Sequence, residues 1–595
     1  MKNFILVWFF LSSISVDSQN TVECKGKISD LETGEPVIGA LVTVKPLNTG
    51  TTTDAEGRYS IVLPSGNYSL QIGFLGYRTA TLAISLKKNS NYNVSLAPQL
   101  NELEEVLIED QNPARQIKST EMSVAKLEIQ QIQKIPALLG EVDIVRALQL
   151  LPGISTVGEG ASGLNVRGGN SDQNLILLDD APVYNSSHLF GFFSIFNPDA
   201  VKEVKLFKGG IPAAYGGRAS SLIDVKLKES NAKRPLVNGG IGTVFSRLSV
   251  EAPLVKDQAG IVLALRRSYL DALVKPFVPE TNALKNTTFY FYDFTAKAHW
   301  KINPKNNLAL SGYWGRDVFG ASVFSFDWGN KTLSLRWNHV INNQWVWRTT
   351  AFYSDYNYLL QFGRSSDDQS FKWNSLITNY SCKSEWSYVK NDSNVLRMGV
   401  QSMLYDFLPY DAVGNFGSNA VYYKSNSKYG LEHSVFVSKE HALSNRIKME
   451  LGLRINLFQY VGKGTAYTFR DTLPNTIRPL EAETPYSAGL VIAQYIIPEP
   501  RMSFNYLISE RQSLKCSYNR MSQFIQLINN TASSSPLDIY TMASNNLKPL
   551  VCDQGALGYF HNFKNQTIET SVEIYYKYFQ NQIDYIDNAD LFINP

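Results

Sequence analysis

Long runs of strict alternation between apolar and polar residues dominate the chain from Pro235 onward, and they constrain its fold most. In RIKMELGLRINLF one face carries Ile447, Met449, Leu451, Leu453, Ile455 and Leu457, and the other carries Arg446, Lys448, Glu450, Arg454 and Asn456. TIETSVEIYYKYF repeats the pattern, with Ile568, Val572, Ile574, Tyr576 and Tyr578 opposing Glu569, Ser571, Glu573 and Lys577. Successive side chains of a strand point to opposite faces, so these segments predict strands with one apolar and one polar face.

A soluble β-sandwich and a transmembrane β-barrel would both show this alternation. Strand length, the number of repeats and an aromatic content of 12% favour the barrel. Charged residues make up 18% of the chain, against roughly 25% in an average soluble protein. Beyond the first residues the sequence has no continuous apolar segment of about 18 residues, so insertion into a membrane would use strands.

The N-terminal stretch MKNFILVWFFLSSISVDSQ has the features of a secretory signal peptide. Lys2 precedes an apolar run from Phe4 to Leu11, and Val16 and Ser18 fit the small-residue pattern of a cleavage site. We predict a signal peptide over residues 1–18. A membrane anchor is the alternative, but the apolar run is shorter than the ~20 residues that a helix needs to cross a bilayer.

Several classes of chemistry lack their sequence signature. A net charge of +3 gives no basic field for nucleic acid. The four cysteines form neither a zinc motif nor a CxxC pair, and the six histidines form no HExxH pattern. The Gly-Gly turn after Arg167 leads into a strand and matches neither a P-loop nor a dinucleotide fingerprint. We therefore expect no enzyme activity, no metal site and no cofactor.

Residues 21–98 alternate short apolar strands with turns such as Asp-Ala-Glu-Gly and Pro-Ser-Gly-Asn, which predicts a small antiparallel sandwich. The segments GEPVIGA, TDAEGRY, LPSGNY and GFLGY resemble the carboxypeptidase-regulatory-like, or transthyretin-like, β-sandwich found ahead of many bacterial outer-membrane receptors. The resemblance does not imply peptidase chemistry, and the first histidine of the chain is His188.

Residues 99–118 are polar and acidic and predict an extended linker. The core of this segment, Glu104, Glu105, Val106, Leu107 and Ile108, is similar to the TonB box of TonB-dependent receptors. In that family the box pairs as a strand with the energy-coupling protein TonB. The alternatives are a plain linker or an edge strand of the sandwich.

Residues 119–228 predict a compact mixed domain. Ile144, Val145, Leu148 and Leu151 have helical spacing, and Pro152-Gly153 ends the helix. Four strand-like segments follow: LNVRG, NLILLDD, AVKEVKLFKG and SSLIDVKLK. The motifs LPG, NVRGG, LILLDDAPVYN and VKEVKLFKGGIPAAYGGRASSLIDVKLK, in that order, resemble the plug domain of TonB-dependent outer-membrane receptors.

Two plug segments are candidate substrate-facing loops by analogy with that family. They contain Gly169, Asn170, Ser171, Asp172 and Gln173, and then Tyr184, Asn185, Ser186, Ser187, His188, Phe190, Phe192 and Phe193. The second segment mixes hydroxyl, amide and aromatic groups, which suits a polar ligand with a flat face. Its aromatic residues would equally pack the plug against the barrel wall. The adjacent Asp179 and Asp180 predict a turn rather than an acid–base pair.

The expected fold is mainly β: an N-terminal sandwich, a small α+β plug and a transmembrane antiparallel β-barrel from residue 235 to 595. Barrels of this family have 22 strands, whereas 361 residues at roughly 25 per strand and loop suggest about 14. We therefore expect an incomplete receptor that lacks C-terminal strands.

The resemblance implies active import of an extracellular nutrient across a Gram-negative outer membrane, with the N-terminal domain in the periplasm. The implied partners are TonB with ExbB and ExbD of the inner membrane, outer-membrane lipid and the nutrient itself, with a surface lipoprotein as a further candidate. Signal transduction without net transport, and a surface-binding barrel, are the alternatives.

Overall fold

A computed structural model describes most of the chain from residue 21 to residue 584. The internal gaps are 32–35, 38, 48, 55, 75–76, 78, 97–114, 136–140, 157–162, 231–232, 280–284, 286, 322, 364–368, 392–393, 417–418, 471–477, 529–538 and 564–567. The predicted signal peptide and the predicted TonB box lie outside the described residues. The chain divides into two compact units, Met1–Ile108 and Glu109–Pro595.

The first unit is a sandwich of two small sheets. Its strands β1 to β8 are Thr21–Asp30, Leu41–Lys45, Thr49–Thr52, Arg58–Pro64, Gly66–Gly73, Ala80–Leu86, Ser90–Asn91 and Val94–Leu96. One sheet has the order β4-β1-β7, with β8 also on β1, and the other has the order β3-β2-β5-β6. Alternate residues of both sheets, including Ile28, Val42, Leu70 and Ile72, form one buried apolar core. The predicted sandwich is confirmed.

The second unit begins with the plug. Helices α1 to α3 are Arg115–Lys118, Ile129–Ile132 and Ile144–Gln149. Strands β9 to β17 are Val124–Glu128, Ile154–Ser155, Asn165–Val166, Asn174–Leu178, Ala181–Pro182, Ser187–His188, Phe193–Ser194, Val201–Phe207 and Ser221–Leu227. Five of these strands form a mixed sheet in the order β13-β12-β17-β16-β9. Helix α3 starts where Asp143 Oδ1 accepts a hydrogen bond from the Arg146 backbone N (2.9 Å), as an N-cap residue should.

The rest of the described chain contains the short helix α4 (Leu270–Val274) and strands β18 to β37, most of which form one large sheet that we call the barrel sheet. Strands β18 to β29 are Leu236–Ile241, Phe245–Val255, Ala259–Ser268, Thr288–Asn303, Asn306–Ala321, Phe324–Val340, Trp345–Phe362, Gln369–Asn391, Asn394–Phe416, Asn419–Lys424, Lys428–Ala442 and Ile447–Val461. Strands β30 to β37 are Gly464–Phe469, Leu480–Tyr486, Val491–Ser509, Gln512–Gln523, Ile525–Ile528, Ile539–Met542, Leu550–Phe563 and Ile568–Gln580.

Among the described residues the barrel sheet contains 16 strands, and all of its pairings are antiparallel. Most join consecutive strands, whereas the pairs β26–β28, β29–β32 and β33–β36 skip the strands between them. The hairpins β30–β31 and β34–β35 lie outside it as separate two-stranded sheets. The sequence estimate of about 14 strands is too low because strands at one end are joined by short turns, such as Asn303 to Asn306 and Ser509 to Gln512.

The two faces of the barrel sheet have opposite chemistry. On β29, Leu451 is 46% exposed, whereas its strand neighbours Arg454 and Asn456 are 1% and 0% exposed. On β37, Ile574 is 70% exposed, while Glu573 contacts the plug. An apolar outer face and a polar inner face are typical of membrane-spanning strands. The predicted fold class is confirmed in its mainly β character, its plug and its large antiparallel sheet. Among the described residues, no helix has the length and apolar character needed to span a bilayer.

The two ends of the barrel sheet differ in the length of their connections. We call one the short-turn end, which includes the turns after β21, β25 and β32 (Ser509 to Gln512). We call the other the long-connection end, where residues 462–490 join β29 to β32 and residues 524–549 join β33 to β36. The plug contacts both ends, so each plug loop is described below by the end that it contacts.

Candidate functional site

The Asp179-Asp180 pair forms the turn between β12 and β13. Leu178 pairs with Ala181, and both aspartates have positive φ (45° and 77°), as a two-residue hairpin turn with the favoured twist requires. The predicted turn is confirmed. Because the strand has already ended, the two carboxylates are not held on opposite faces. Arg336 of β23 approaches both, with Nη2 3.6 Å from Asp179 Oδ1 and Nε 2.8 Å from Asp180 Oδ2.

Two lysines complete this ionic cluster between the plug and the barrel sheet. Lys297 of β21 lies 3.1 Å from Asp179 Oδ2, and Lys226 of the plug lies 2.7 Å from Asp180 Oδ1. Burial alone would raise the pKa of Asp179, but the charges of Lys297 and Arg336 hold that pKa below its ordinary value. In the same way, the charges of Arg336 and Lys226 outweigh burial and hold the pKa of Asp180 well below its ordinary value. Both carboxylates are therefore ionised anchors and unsuited to proton transfer.

The first predicted loop, Gly169 to Gln173, packs against the connection that follows β33. Residues Ser171–Gln173 form a 3₁₀ turn with Asn170 before it. Gly169 fits closely, because a Cβ there would lie 2.2 Å from Ser220 Oγ. Asp172 Oδ2 accepts hydrogen bonds from the Leu527 backbone N (3.1 Å) and from Gln523 Nε2 (2.9 Å). Burial raises the pKa of the Asp172 carboxyl.

The second predicted loop begins with Tyr184, which enters an aromatic cluster of the barrel sheet. Its ring stacks on Tyr356 (6.5 Å between centroids) and meets Tyr540 edge-on (5.6 Å). Burial raises the pKa of the Tyr184 phenol to about 12. Asn330 Nδ2 donates to the Asn185 carbonyl (2.7 Å). Ser186 and Ser187 are also buried.

The aromatic residues of the second loop divide between packing and exposure. The centroid of the Phe190 ring lies 4.7 Å from that of Trp328 and 6.1 Å from that of Phe326. Phe193 meets Phe245 edge-on at 5.4 Å. Phe192, by contrast, is 44% exposed. The packing alternative therefore describes Phe190 and Phe193, whereas exposure to a ligand stays a prediction for Phe192.

The aromatic cluster that surrounds Tyr184 and Phe190 was not predicted. We call it the aromatic wall; its buried members include Phe326, Trp328, Tyr356, Tyr358, Trp373, Tyr405, Phe407, Phe458, Tyr460, Phe524 and Tyr540. They come from strands β23 to β35, towards the long-connection end. Aromatic residues in that half of successive strands were the sequence signal that could have revealed the wall.

A polar cavity of about 80 Å³ lies between the plug and the barrel sheet beside the aromatic wall. Its lining includes Asp180, Tyr184 and Arg218 of the plug with Lys383, Glu432 and Arg454 of the barrel sheet. Arg454 Nη2 donates to Ser434 Oγ (2.7 Å) and its Nη1 lies 3.4 Å from the Ala214 carbonyl. Because a water needs roughly 10–15 Å³ of such volume, this cavity has room for several waters.

The segment that follows the predicted TonB box is fixed to the short-turn end. Lys515 Nζ donates to the carbonyls of Gln116 (2.6 Å) and Glu121 (2.8 Å). Asn505 Nδ2 donates to the Ile117 carbonyl (2.8 Å). The sequence predicts an extended linker through residue 118, whereas residues 115–118 form helix α1, because these side chains satisfy its free carbonyls.

Two family comparisons match the N-terminal half of the chain. Residues 24–108 match the CarboxypepD_reg-like domain, and residues 116–221 match the TonB-dependent Receptor Plug Domain. The chain is also 29% identical over 261 residues to the TonB-dependent receptor SusC of Bacteroides thetaiotaomicron, which covers 41% of this chain and 24% of that protein. It is 23% identical over 283 residues to the TonB-dependent receptor P3 of Formosa agariphila (46% and 27%).

Over the matched residues the chain is similar to TonB-dependent receptors. It spans about a quarter of the length of the curated relatives that it matches. The receptors that it matches are not enzymes, in agreement with the absence of catalytic motifs.

Solved structures show the same fold. The ferric enterobactin receptor PfeA of Pseudomonas aeruginosa has a TM-score of 0.54 at 12% identity, covering 80% of this chain and 73% of that one. The alcaligin outer membrane receptor FauA of Bordetella pertussis has a TM-score of 0.53 at 14% identity (78% and 72%). The copper transporter OprC has a TM-score of 0.53 at 10% identity (74% and 70%). At these identities the similarity concerns the fold.

Proposed function

We propose that this protein imports an extracellular nutrient across a Gram-negative outer membrane, using energy that TonB delivers from the inner membrane. TonB would act with ExbB and ExbD there, and the chain itself would supply the ligand site and the gate. The observation that supports the proposal most is the attachment of the plug: polar contacts hold it against the inner face of the barrel sheet, directly after the predicted TonB box.

The orientation follows from the connections. Outer-membrane barrels have short periplasmic turns and longer extracellular loops. The short-turn end would then face the periplasm, together with the N-terminal sandwich and residues Glu104 to Ile108. Both predicted plug loops contact the connection between β33 and β36 at the long-connection end, through Leu527 and Tyr540. Those loops would therefore face outward.

The gating step would use the polar contacts of the plug. A pull on Glu104 to Ile108 would reach helix α1 first, where Lys515 and Asn505 bind three backbone carbonyls. Water can replace hydrogen bonds of this kind with little net cost, since a typical one contributes only about 0.5–1.5 kcal/mol. The polar cavity beside Arg454 already offers space for water on one side of the plug.

The aromatic wall supports a ligand with flat or ring-shaped parts. Aromatic faces bind such surfaces well, and their hydroxyl and indole groups add hydrogen bonds. Phe192, Tyr184 and the wall would form the base and one side of the site. A surface lipoprotein is a further candidate partner; its recovery with the receptor from cross-linked outer membranes would support it.

Deletion of the predicted TonB box tests the proposal. Growth of a strain that lacks the protein, on single nutrient sources, first identifies the nutrient. Deletion of residues 104–108 is then expected to abolish uptake while surface expression and ligand binding stay normal. Deletion of residues 110–114 shortens the same segment by five residues and is the matched control. Normal uptake after deletion of residues 104–108 would rule out the coupling assignment.

A single substitution sharpens the result. Leu107→Pro removes a backbone donor from the segment that would pair with TonB as a strand. We expect uptake to fall as strongly as in the deletion. Gln111→Pro, placed outside the box, is expected to leave uptake unchanged.

A further inference from the structure

One histidine of the plug is enclosed by charged groups of the barrel sheet. His188 is 1% exposed, and its Nδ1 lies 2.7 Å from Asp317 Oδ2 of β22. Its Nε2 lies 3.3 Å from Asp293 Oδ2 of β21 and 3.3 Å from the Tyr313 hydroxyl. The imidazole stacks on Phe291 at 4.2 Å with a 9° angle between the rings. Both ring nitrogens therefore face carboxylates.

The charges of this cluster balance only when the imidazole is protonated. Arg266 of β20 binds Asp293 through Nε (2.8 Å) and Nη2 (2.6 Å), which neutralises one carboxylate. Asp317 has His188 as its cationic partner, and a neutral imidazole would leave a buried carboxylate without a counter-charge. An imidazolium also donates from both nitrogens, as the two carboxylates require. Burial on its own lowers the pKa of His188, but Asp317 and Asp293 raise that pKa above its ordinary value.

A strained turn follows His188 directly. Leu189 and Phe190 have φ values of 51° and 58°, a left-handed conformation that bulky residues rarely adopt because it is strained. Asp317 holds this turn as well, since its Oδ1 accepts a hydrogen bond from the Leu189 backbone N (2.7 Å). The turn places the Phe190 ring 4.7 Å from Trp328 in the aromatic wall.

The other side of the turn is fixed through two further charged groups. Arg266 Nη2 donates to the Ser194 carbonyl (2.7 Å), and the Ser194 backbone N donates to Asp143 Oδ2 (2.5 Å). Residues 188–194 are thus bracketed by Asp317 at one end and by Arg266 and Asp143 at the other. Among the described residues, the charged or titratable groups that face the imidazole are Asp293, Asp317, Arg266 and Tyr313.

We propose that His188 is a positioning residue of the ligand site. Its imidazolium, bound between Asp317 and Asp293, keeps the strained Leu189–Phe190 turn in place, and loss of its proton releases the turn and the Phe190 ring from the aromatic wall. We call the contact of His188 with Asp317 and Asp293 the clamp. The clamp is a property of the structure, and only its role at a ligand site rests on the proposed function.

The pH dependence has a defined sign. The folded-state pKa of His188 is raised, so the clamp contributes its full stabilisation at pH values below the ordinary histidine pKa of about 6.5. That contribution decreases as the pH rises through the raised pKa. The turn is therefore fixed below about pH 6.5 and is released as the pH rises through the raised pKa of His188.

Hydrogen exchange of the whole chain, in detergent, tests the clamp without a ligand. Protection factors of the peptide covering residues 186–196, corrected for intrinsic exchange, are measured by mass spectrometry between pH 6 and pH 10. In the unmodified protein we expect a fall in protection towards alkaline pH. In His188→Gln we expect protection at pH 6 to be lower by roughly tenfold or more, as for loss of a hydrogen bond to a charged group, and independent of pH.

Matched variants complete the experiment. Asp317→Asn keeps the shape of the carboxylate but removes its charge. It is expected to abolish the fall in protection with rising pH, which we call the pH step, as well. His339→Gln removes a histidine that binds Asn306 on the barrel sheet (2.8 Å), and it should keep both the protection and the step. Constant protection of the unmodified protein from pH 6 to pH 10 would refute the clamp, as would an unchanged step in His188→Gln.

Failure of the clamp and failure of the proposed function give different results. The exchange experiment reads the turn and needs no transport, so a protein that does not import would still show the pH step. A protein that loses uptake on deletion of residues 104–108 but shows no pH step would keep the proposed function and lose the clamp. The step in the unmodified chain requires no substitution, so poor folding of a variant cannot hide the answer.

Discussion

The interior of the plug and its contact with the barrel sheet are built from different chemistry. The interior is apolar, with Ile144, Leu148, Val204 and Ile223 fully or almost fully buried. The contact relies on charged and polar groups, such as Lys297 with Asp179 and Lys515 with backbone carbonyls. Apolar packing resists water, whereas polar contacts can be exchanged for water. Under the proposed function, the plug would therefore stay folded while it leaves its position.

The aromatic wall is the exception to this division. Around Phe190 the plug meets the barrel sheet through apolar rings, and these cannot exchange with water. Plug and sheet are thus joined by polar groups at the short-turn end, and by rings together with polar pairs such as His188–Asp317 nearer the long-connection end. Force from the periplasm would meet the exchangeable contacts first, and the ligand end would be disturbed last.

The largest expected effect comes from removing one partner of the buried ionic cluster. Asp179→Leu leaves Lys297 buried without its counter-charge, which typically costs about 3–5 kcal/mol. We expect the plug to detach at lower urea concentration, as measured by the loss of hydrogen-exchange protection in peptides covering β12 and β13. Asp179→Asn keeps an acceptor for the Leu227 backbone N (3.1 Å) and should cost less. Equal effects of the two substitutions would contradict an electrostatic anchor.

A cavity in the plug interior should have a different effect. Leu148→Ala removes a fully buried side chain, and such changes cost about 3 kcal/mol. We expect peptides from β16 and β17 to lose protection together in urea, because the apolar core holds the plug as one body. If only the peptides in contact with the barrel sheet responded, the distinction between interior and contact would fail.

The smallest of the three effects is expected at helix α1. Lys515→Met removes the donor to the Gln116 and Glu121 carbonyls, at a cost of about 2 kcal/mol for hydrogen bonds to a charged group. Exchange of the peptide covering residues 115–123 should accelerate, with the rest of the plug unchanged. Lys439→Met, at an exposed position of the barrel sheet, is the control. A loss of protection across the whole plug would show that the anchor is not local.

The fold followed from the sequence where the pattern is local. Alternation over β29 and β37 predicted an outer apolar face, and the exposure of Leu451 and Ile574 confirms it. The plug motifs predicted the Asp179-Asp180 turn for the same reason, since a turn depends on adjacent residues. What surrounds the turn did not follow, because Lys297 and Arg336 are more than 100 residues away in the sequence.

The candidate site was only partly predictable. The plug segments were chosen by analogy, and their fit to the ligand stays a prediction. The clamp on His188 needs Asp293 and Asp317 to face the same point from adjacent strands, which depends on the register between β21 and β22. The aromatic wall likewise depends on the register of many strands. Periodicity gives the face on which a residue lies but not the height at which neighbouring strands align.

The two-residue turn between β12 and β13 has a cost for folding. Asn-Gly adopts two consecutive positive φ values far more readily than Asp-Asp. The carboxylates serve the contact with Arg336, Lys297 and Lys226 instead. A plug expressed by itself would lack two of those cations, and its hairpin would carry uncompensated like charges. The Asp-Asp turn therefore destabilises an isolated plug, a local frustration that is resolved where the barrel sheet supplies Lys297 and Arg336.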